Sequence, residues 1–146
     1  QYFIVDSIQV RLSPKAVEDL IMQTAASDGQ YVPIRMEQEP GSSGVGVIAY
    51  YTRLLAGYDF KGDKVTGRDY KQLRANALAS QAEAGNVYLL QGEFNKGLLD
   101  EMDVFPGGGH DDQVTALVGG FQELTGVQQL DTRSITMVGE RLRPDW

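Results

Sequence analysis

The feature that most constrains this chain is an alternation of strand-like and helix-like patterns that runs from Tyr2 to Leu124. β-branched apolar runs typical of strands are separated by stretches in which apolar residues recur at helical spacing. Such alternation indicates an α/β fold, and 146 residues are a usual size for one domain. The patterns predict strands at 2–10, 32–37, 58–66 and 87–90, and helices at 14–28, 45–56, 69–83, 94–102 and 114–124.

The composition excludes several classes of protein and of site. The chain has no cysteine, which rules out disulfide scaffolds, thiolate zinc sites and cysteine nucleophiles. Its formal net charge of −7 gives no overall attraction to nucleic acid or to an anionic membrane. No apolar run approaches the roughly 18 residues of a membrane span, so no membrane partner is expected. Any binding of a polyanion must therefore be local.

The glycines between the second strand and the second helix match a nucleotide-binding pattern only formally. Gly44, Gly46 and Ala49 have the spacing of a relaxed dinucleotide fingerprint. The strand before them ends in acids, which would repel a pyrophosphate. Val47 and Ile48 stand where a phosphate loop needs a lysine followed by serine or threonine. We therefore interpret the glycines as allowing a tight turn from strand to helix.

Three acids lie at positions where an α/β sheet commonly opens onto a ligand. Glu37 ends the second strand, and Asp111 and Asp112 begin the last helix. Carboxylates that converge from separate elements repel each other unless a cation lies between them, and oxygen ligands suit magnesium or manganese. Helix capping alone would also explain the two aspartates. The neighbouring His110 is either a turn residue or a group that positions water or a phosphate.

One segment is positively charged although the chain as a whole is negative. Between residues 61 and 74, five basic residues oppose two aspartates and give a local net charge of +3. Duplex DNA is therefore expected to approach here, although a solvated helix face would explain the same spacing. The five basic residues are Lys61, Lys64, Arg68, Lys71 and Arg74.

Two longer motifs together resemble the nuclease domain of tailed-phage large terminase subunits. They are RMEQEPGSSG at 35–44 and FPGGGHDDQVTAL at 105–117, with SQAEAGNV at 80–87 between them. The resemblance covers about residues 2–124. It implies an RNase H-like α/β fold of the RuvC or terminase nuclease type, in which helices flank a mixed sheet. We assign a nuclease domain to residues 1–130 and a C-terminal tail to 131–146, with a short strand at 134–138.

The resemblance also implies a function. Such domains are metal-dependent DNA endonucleases that cut concatemeric viral DNA during packaging by two-metal phosphodiester hydrolysis. Carried over, it makes Glu37, Asp111 and Asp112 the catalytic ligands of Mg²⁺ or Mn²⁺, and it leaves open which aspartate binds metal. The implied partners are double-stranded DNA, an ATPase domain upstream in the same polypeptide, the portal and the small terminase subunit. The implied location is the host cytoplasm.

The chain departs from the family's pattern in two ways. Thr115 stands where the family often has a further aspartate, and its hydroxyl is a poor metal ligand. The family's first catalytic aspartate lies on an opening strand that, together with the next strand, should precede Tyr2, and Asp6 does not replace it. We therefore expect a fold that is incomplete at its N-terminus, with the chain's own activity left open. Its free strand edges and uncovered apolar face would be covered by upstream strands or by a second copy.

Two other functions remain as alternatives. A resolvase-like or transposase-like nuclease of the same broad fold would prefer branched or specific DNA. A non-catalytic module that docks on a portal or capsid partner would need no metal. Metal titration separates this last alternative from both nucleases, since a genuine carboxylate cluster should bind manganese.

Overall fold

The computed structural model describes residues 1–64 and 68–126, and for residues 68–70 it describes the backbone alone. The predicted α/β fold is confirmed, whereas the predicted tail at 131–146 and its strand at 134–138 lie outside the described residues. None of the described helices is long and apolar enough to cross a membrane. In chain order the elements are β1 (Tyr2–Ile4), α1 (Pro14–Asp28), β2 (Ile34–Gln38), α2 (Ser42–Leu54), β3 (Phe60–Lys64), α3 (Arg68–Glu83), β4 (Val87–Leu89), α4 (Phe94–Val104) and α5 (Asp112–Thr125).

The first strand is shorter than predicted. β1 ends at Ile4, where the sequence pattern predicted a strand as far as Val10. Its partner β4 offers only three residues for pairing. After Ile4, hydrogen bonds of side chains take the place of strand pairing. Asp6 accepts one from the Ser7 backbone N–H, and the Ser7 hydroxyl donates one to Gln113, both at 2.8 Å.

The turn after β2 is tighter than predicted, and α2 begins at Ser42 instead of near Val45. Gly41 precedes the helix with φ +95°, a left-handed value that favours glycine. A Cβ on Gly44 would lie 2.0 Å from the carbonyl oxygen of Glu39, so the helix can start this close to the strand only with glycine there. The glycines therefore serve a strand-to-helix turn, as the sequence indicated.

The strands form two separate parallel pairs. β1 pairs with β4, with Tyr2 opposite Val87. β2 pairs with β3 in a register that puts Glu37 opposite Asp63. The single mixed sheet that the resemblance implies is therefore not confirmed, because the described residues contain two two-stranded sheets, both parallel.

Helix α5 lies at the centre of the core. It packs against α3, α4 and β2 of the second strand pair. Tyr2 of β1 packs edge-on against Phe121 of α5, with 4.8 Å between the ring centroids. The buried cluster consists of Leu78, Val114, Val118 and Phe121, with Tyr2, Ala75, Val87, Met102, Phe105 and Leu117 packed against it.

An apolar cleft of about 590 Å³ lies between the two strand pairs. Among the described residues, β1 pairs only with β4 and β2 only with β3, so each borders the cleft with one edge that has no strand partner. Large apolar side chains beside it are exposed, including Phe3, Val5 and Leu124. The uncovered apolar face predicted from the sequence is therefore present. Its walls include Ile4, Leu20, Ile21, Ala25, Ile34, Leu78, Leu117 and Phe121.

Candidate metal centre

Glu37 is the second-to-last residue of β2, just before the tight turn into α2. Its side chain is 37% exposed, so the carboxylate is open to solvent at the end of a strand whose other residues are half-buried. The turn fixes the direction in which the chain leaves the sheet. Glu37 is therefore held by backbone geometry at an accessible edge, where a ligand could reach it.

Asp111 and Asp112 occupy the start of α5, but Asp111 does not act as simple helix capping predicts. Asp111 is the N-cap residue, yet its side chain makes no capping hydrogen bond. Buried Glu101 of α4 takes that task, because its carboxylate accepts hydrogen bonds from the Val114 N–H at 2.9 Å and the Gln113 side chain at 3.0 Å. The Asp111 carboxylate is thus available for another contact, while exposed Asp112 keeps the favourable place of an acid in the first helical turn.

Lys71 joins the two predicted acids. Its ammonium nitrogen lies 3.5 Å from Glu37 Oε1, and 3.2 and 3.3 Å from the two carboxylate oxygens of Asp111. Burial by itself lowers the pKa of Lys71, but the hydrogen bond to Asp111 and the charge of Glu37 outweigh burial and raise the pKa above its ordinary value. A positive charge therefore lies between carboxylates from β2 and α5, in the juxtaposition that the sequence predicts.

A small polar cavity of about 220 Å³ adjoins this cluster and adds an acid that the sequence analysis missed. Asp63 of β3 lines it together with Glu37 and Asp112. Asp63 was counted only as an opposing charge in the basic segment. The available signal was its place near the end of the predicted strand 58–66, because ends of neighbouring parallel strands meet at one edge of a sheet. The Asp63 carboxylate accepts a 2.7 Å hydrogen bond from Arg74 Nη2.

The five predicted DNA-contacting residues are placed differently from one another. Lys61 and Lys64 are exposed on β3, and the side chain of Arg68 lies outside the described residues. Lys71 faces the two acids. Arg74 is only 7% exposed and holds Asp63 and Gln122, so a DNA phosphate could reach it only if those contacts broke.

Two other residues singled out in the sequence make no hydrogen bond or ion pair with the acids of the cluster among the contacts that the structure describes. His110 has an exposed side chain, and its part in positioning water or phosphate stays a prediction. Asp6 is exposed and turned to the backbone of its neighbour Ser7. The structure therefore brings together Glu37, Asp111 and Asp112, the last through the shared cavity, and leaves His110 and Asp6 aside.

The donor atoms at the cluster have the chemistry that a divalent cation requires. Carboxylate oxygens from separate elements share one positive charge, and the Thr115 hydroxyl is buried beside them without a hydrogen-bond partner. Thr115 lines the same cavity as Glu37 and Asp112, so its oxygen can hold a water there. Among the described residues no three or more acids or histidines group as a metal site, so this set would be part of a coordination sphere.

A family model described as a terminase RNaseH-like domain covers residues 2–124. That span includes all four strands, both motifs at 35–44 and 105–117, and the three predicted acids. No curated protein and no solved structure is significantly similar to the chain.

Proposed function

The chain belongs to the terminase RNaseH-like domain family, and from this premise we propose that it is the metal-dependent DNA endonuclease domain of a viral DNA-packaging terminase large subunit. In this proposal it cuts concatemeric DNA by hydrolysing phosphodiester bonds. Membership of the family makes it a terminase nuclease domain; the metal dependence, the substrate and the roles of single residues are our proposals.

One observation carries the proposal. Glu37 and Asp111, which come from separate elements and from the two motifs, have carboxylates within 3.5 Å of the same ammonium nitrogen. Like charges placed this close are unfavourable without a cation. Capping does not explain Asp111, because its side chain makes no capping hydrogen bond. The arrangement supports a site in which two carboxylates bind a cation for catalysis.

We propose that Glu37, Asp111 and Asp112 hold Mg²⁺ or Mn²⁺. A bound pair of such ions would supply the Lewis acidity that activates a water and stabilises the negative charge of an in-line displacement at phosphorus. The carboxylates fix the place of this chemistry at the sheet edge. Thr115 keeps a hydroxyl in the cavity to position a water.

The exposed lysines of β3 would attract the substrate. Lys61 and Lys64 flank Asp63, which lines the polar cavity, so their charge lies on the strand beside the proposed centre. Phosphate contacts of this kind position a duplex without reading its sequence. We propose double-stranded DNA as the substrate, with this strand as its first contact.

The remaining partners follow from the family and are proposals as well. We propose an ATPase domain upstream in the same polypeptide, the portal and the small terminase subunit as partners, with action in the cytoplasm of an infected host. Because the described acids form only part of a coordination sphere, we propose that they bind the metal weakly.

Manganese titration of the full chain tests the proposal. We expect weak binding, measured by calorimetry, that drops in Glu37→Gln and in Asp111→Asn. Each substitution removes a ligand charge while keeping the side-chain size. Glu83→Gln and Asp103→Asn are matched controls, because both residues are exposed on helices that do not supply these acids.

The contrary result is equally clear. Manganese affinity that is absent, or that responds equally to Glu37→Gln and Glu83→Gln, would leave the non-catalytic docking module as the better function. A circular dichroism spectrum unchanged by each substitution shows that the comparison concerns ligands and not folding.

A further inference from the structure

Lys71 stands where the proposed cation would be expected. Its nitrogen is shared between Glu37 and Asp111. We propose that Lys71 is a positioning residue that holds these two carboxylates together and is displaced by a divalent cation. The proposal rests on the proposed function, because the exchanging cation is the one assigned there to Glu37 and Asp111.

The distances indicate a shared ammonium that is held loosely. Its three contacts are 3.2 to 3.5 Å long, whereas a strong ion-pair hydrogen bond is about 2.7–2.9 Å. The nearby Arg74–Asp63 contact, at 2.7 Å, is of the strong kind. Lys71 therefore neutralises two acids without a short bond to either, and a cation of higher charge can replace it.

The chemistry of the two basic side chains explains why the exchangeable one is a lysine. Lysine carries a compact charge on a flexible four-carbon stem, whereas arginine presents a planar fork that locks onto its partners. Arg74 is 7% exposed and is held by both Asp63 and Gln122. The Lys71 side chain is 24% exposed, so it has room to swing toward solvent. One helix thus supplies a fixed cation and, about one turn earlier, a movable one.

Lys71 offsets the electrostatic repulsion between the two carboxylates. Without a positive charge, Glu37 and Asp111 would turn apart, and a cation would then have to bring them back together. With Lys71 in place, they already face a common point. The same ammonium also competes with the cation. Because the cation must displace it from both carboxylates, this competition outweighs the help Lys71 gives in holding them together, and removing Lys71 should strengthen metal binding.

The test compares Mn²⁺ affinities of the full chain in solution. We expect Lys71→Met to bind Mn²⁺ about threefold or more tightly than the wild type, the scale of losing a partly exposed ion-pair competitor. Lys71→Arg should not tighten binding, because it keeps a positive charge in place. Lys96→Met is the matched control: it removes an exposed ion pair with Asp100 on α4 and should leave the affinity unchanged.

A second measurement does not depend on the folding of a variant. In the wild-type chain, lysines carrying ¹³C-methyl groups from reductive methylation keep their charge and report their surroundings by NMR. We expect Mg²⁺ to shift the Lys71 signal at the same concentrations at which it binds, with no shift for Lys96.

Each outcome decides the inference. Tighter Mn²⁺ binding by Lys71→Met with a Lys71 shift supports it. Unchanged or weaker binding by that variant, or Mg²⁺ binding without a Lys71 shift, overturns it while the Glu37 dependence of binding can still uphold the proposed function. If the wild type binds no metal through Glu37, the proposed function and this inference both fail.

Discussion

Two cavities on the same chain are built in opposite ways. The polar cavity of about 220 Å³ is lined by charged groups that hold one another, such as Asp63 and Arg74. The apolar cleft of about 590 Å³ is lined by strand edges and aliphatic side chains and has exposed neighbours such as Phe3 and Val5. Arg35 and Ala116 line both.

The difference indicates that the candidate catalytic acids and the apolar packing that stabilises the fold lie in different parts of the molecule. In the polar cavity, Glu37 faces Lys71 and Asp63 faces Arg74, so these two acids are held in place by basic side chains of the chain itself. In the cleft, apolar surface stays in contact with water, which costs roughly 25 cal/mol per Å² that burial would otherwise recover. Substitutions on the two walls should therefore have different consequences.

The largest effect is expected on the cleft wall at Phe121. Phe121→Ala should lower the free energy of unfolding by about 3–4 kcal/mol, because it removes a ring from the core cluster and from the edge-to-face contact with Tyr2. Urea unfolding measures the loss. Leu124→Ala is the control, since Leu124 lines the same cleft but is 73% exposed, and it should cost less than about 0.5 kcal/mol. Equal losses would mean that the inner cleft wall is not packed as described.

A smaller loss is expected on the polar wall at Arg74. Arg74→Ala should cost about 2 kcal/mol, because Asp63 and Gln122 lose their partner, while Asp63 at 38% exposure can still be solvated. Arg53→Ala, an exposed arginine of α2, should be nearly neutral under the same urea titration. A loss as small as that of Arg53→Ala would show that the Arg74 contacts do not hold the polar cavity together.

The smallest loss of stability is expected for the ion pair of Glu123 with Arg35, a residue that lines both cavities. Arg35 donates to both carboxylate oxygens of Glu123, at 2.5 and 2.7 Å, and this hydrogen bonding lowers the pKa of Glu123. A lowered pKa of this carboxyl stabilises the folded state at pH values above 4.5, its ordinary pKa. That stability is lost as the pH falls through the lower pKa of the folded state. Glu123→Gln should therefore cost about 0.5 kcal/mol at pH 7, since solvent screens the exposed carboxylate.

The pH dependence provides the check on that pair. The stability difference between wild type and Glu123→Gln should shrink when urea unfolding is repeated at a pH below 4.5, where protonation begins to neutralise the wild-type carboxyl. A difference of the same size at both pH values would point to packing instead of charge.

Sequence patterns predicted the local elements well because those elements have local causes. Ser13 caps α1 by accepting a hydrogen bond from the Ala16 N–H, and proline follows it at the first helical position. The β1 boundary was wrong because a strand's length depends on its partner, and β4 offers three residues. The single mixed sheet depends on pairing between distant segments, which apolar alternation does not encode.

The candidate site shows the same contrast between features with local causes and features that depend on distant contacts. Glu37 and Asp111 were predicted from a strand end and a helix start, which are local features. Lys71 was identified only as part of a basic stretch, because its distance of 40 residues from Asp111 hides the contact. Asp63 was missed for the same reason, since its place in the cavity depends on the β2–β3 register.

The most direct test of the central claim is anomalous diffraction from crystals of the full chain soaked in Mn²⁺. We expect a manganese peak between the carboxylates of Glu37 and Asp111, with the Lys71 ammonium moved away from both. A peak elsewhere, or an occupied Lys71 position between the two acids at saturating manganese, would contradict the proposed metal centre.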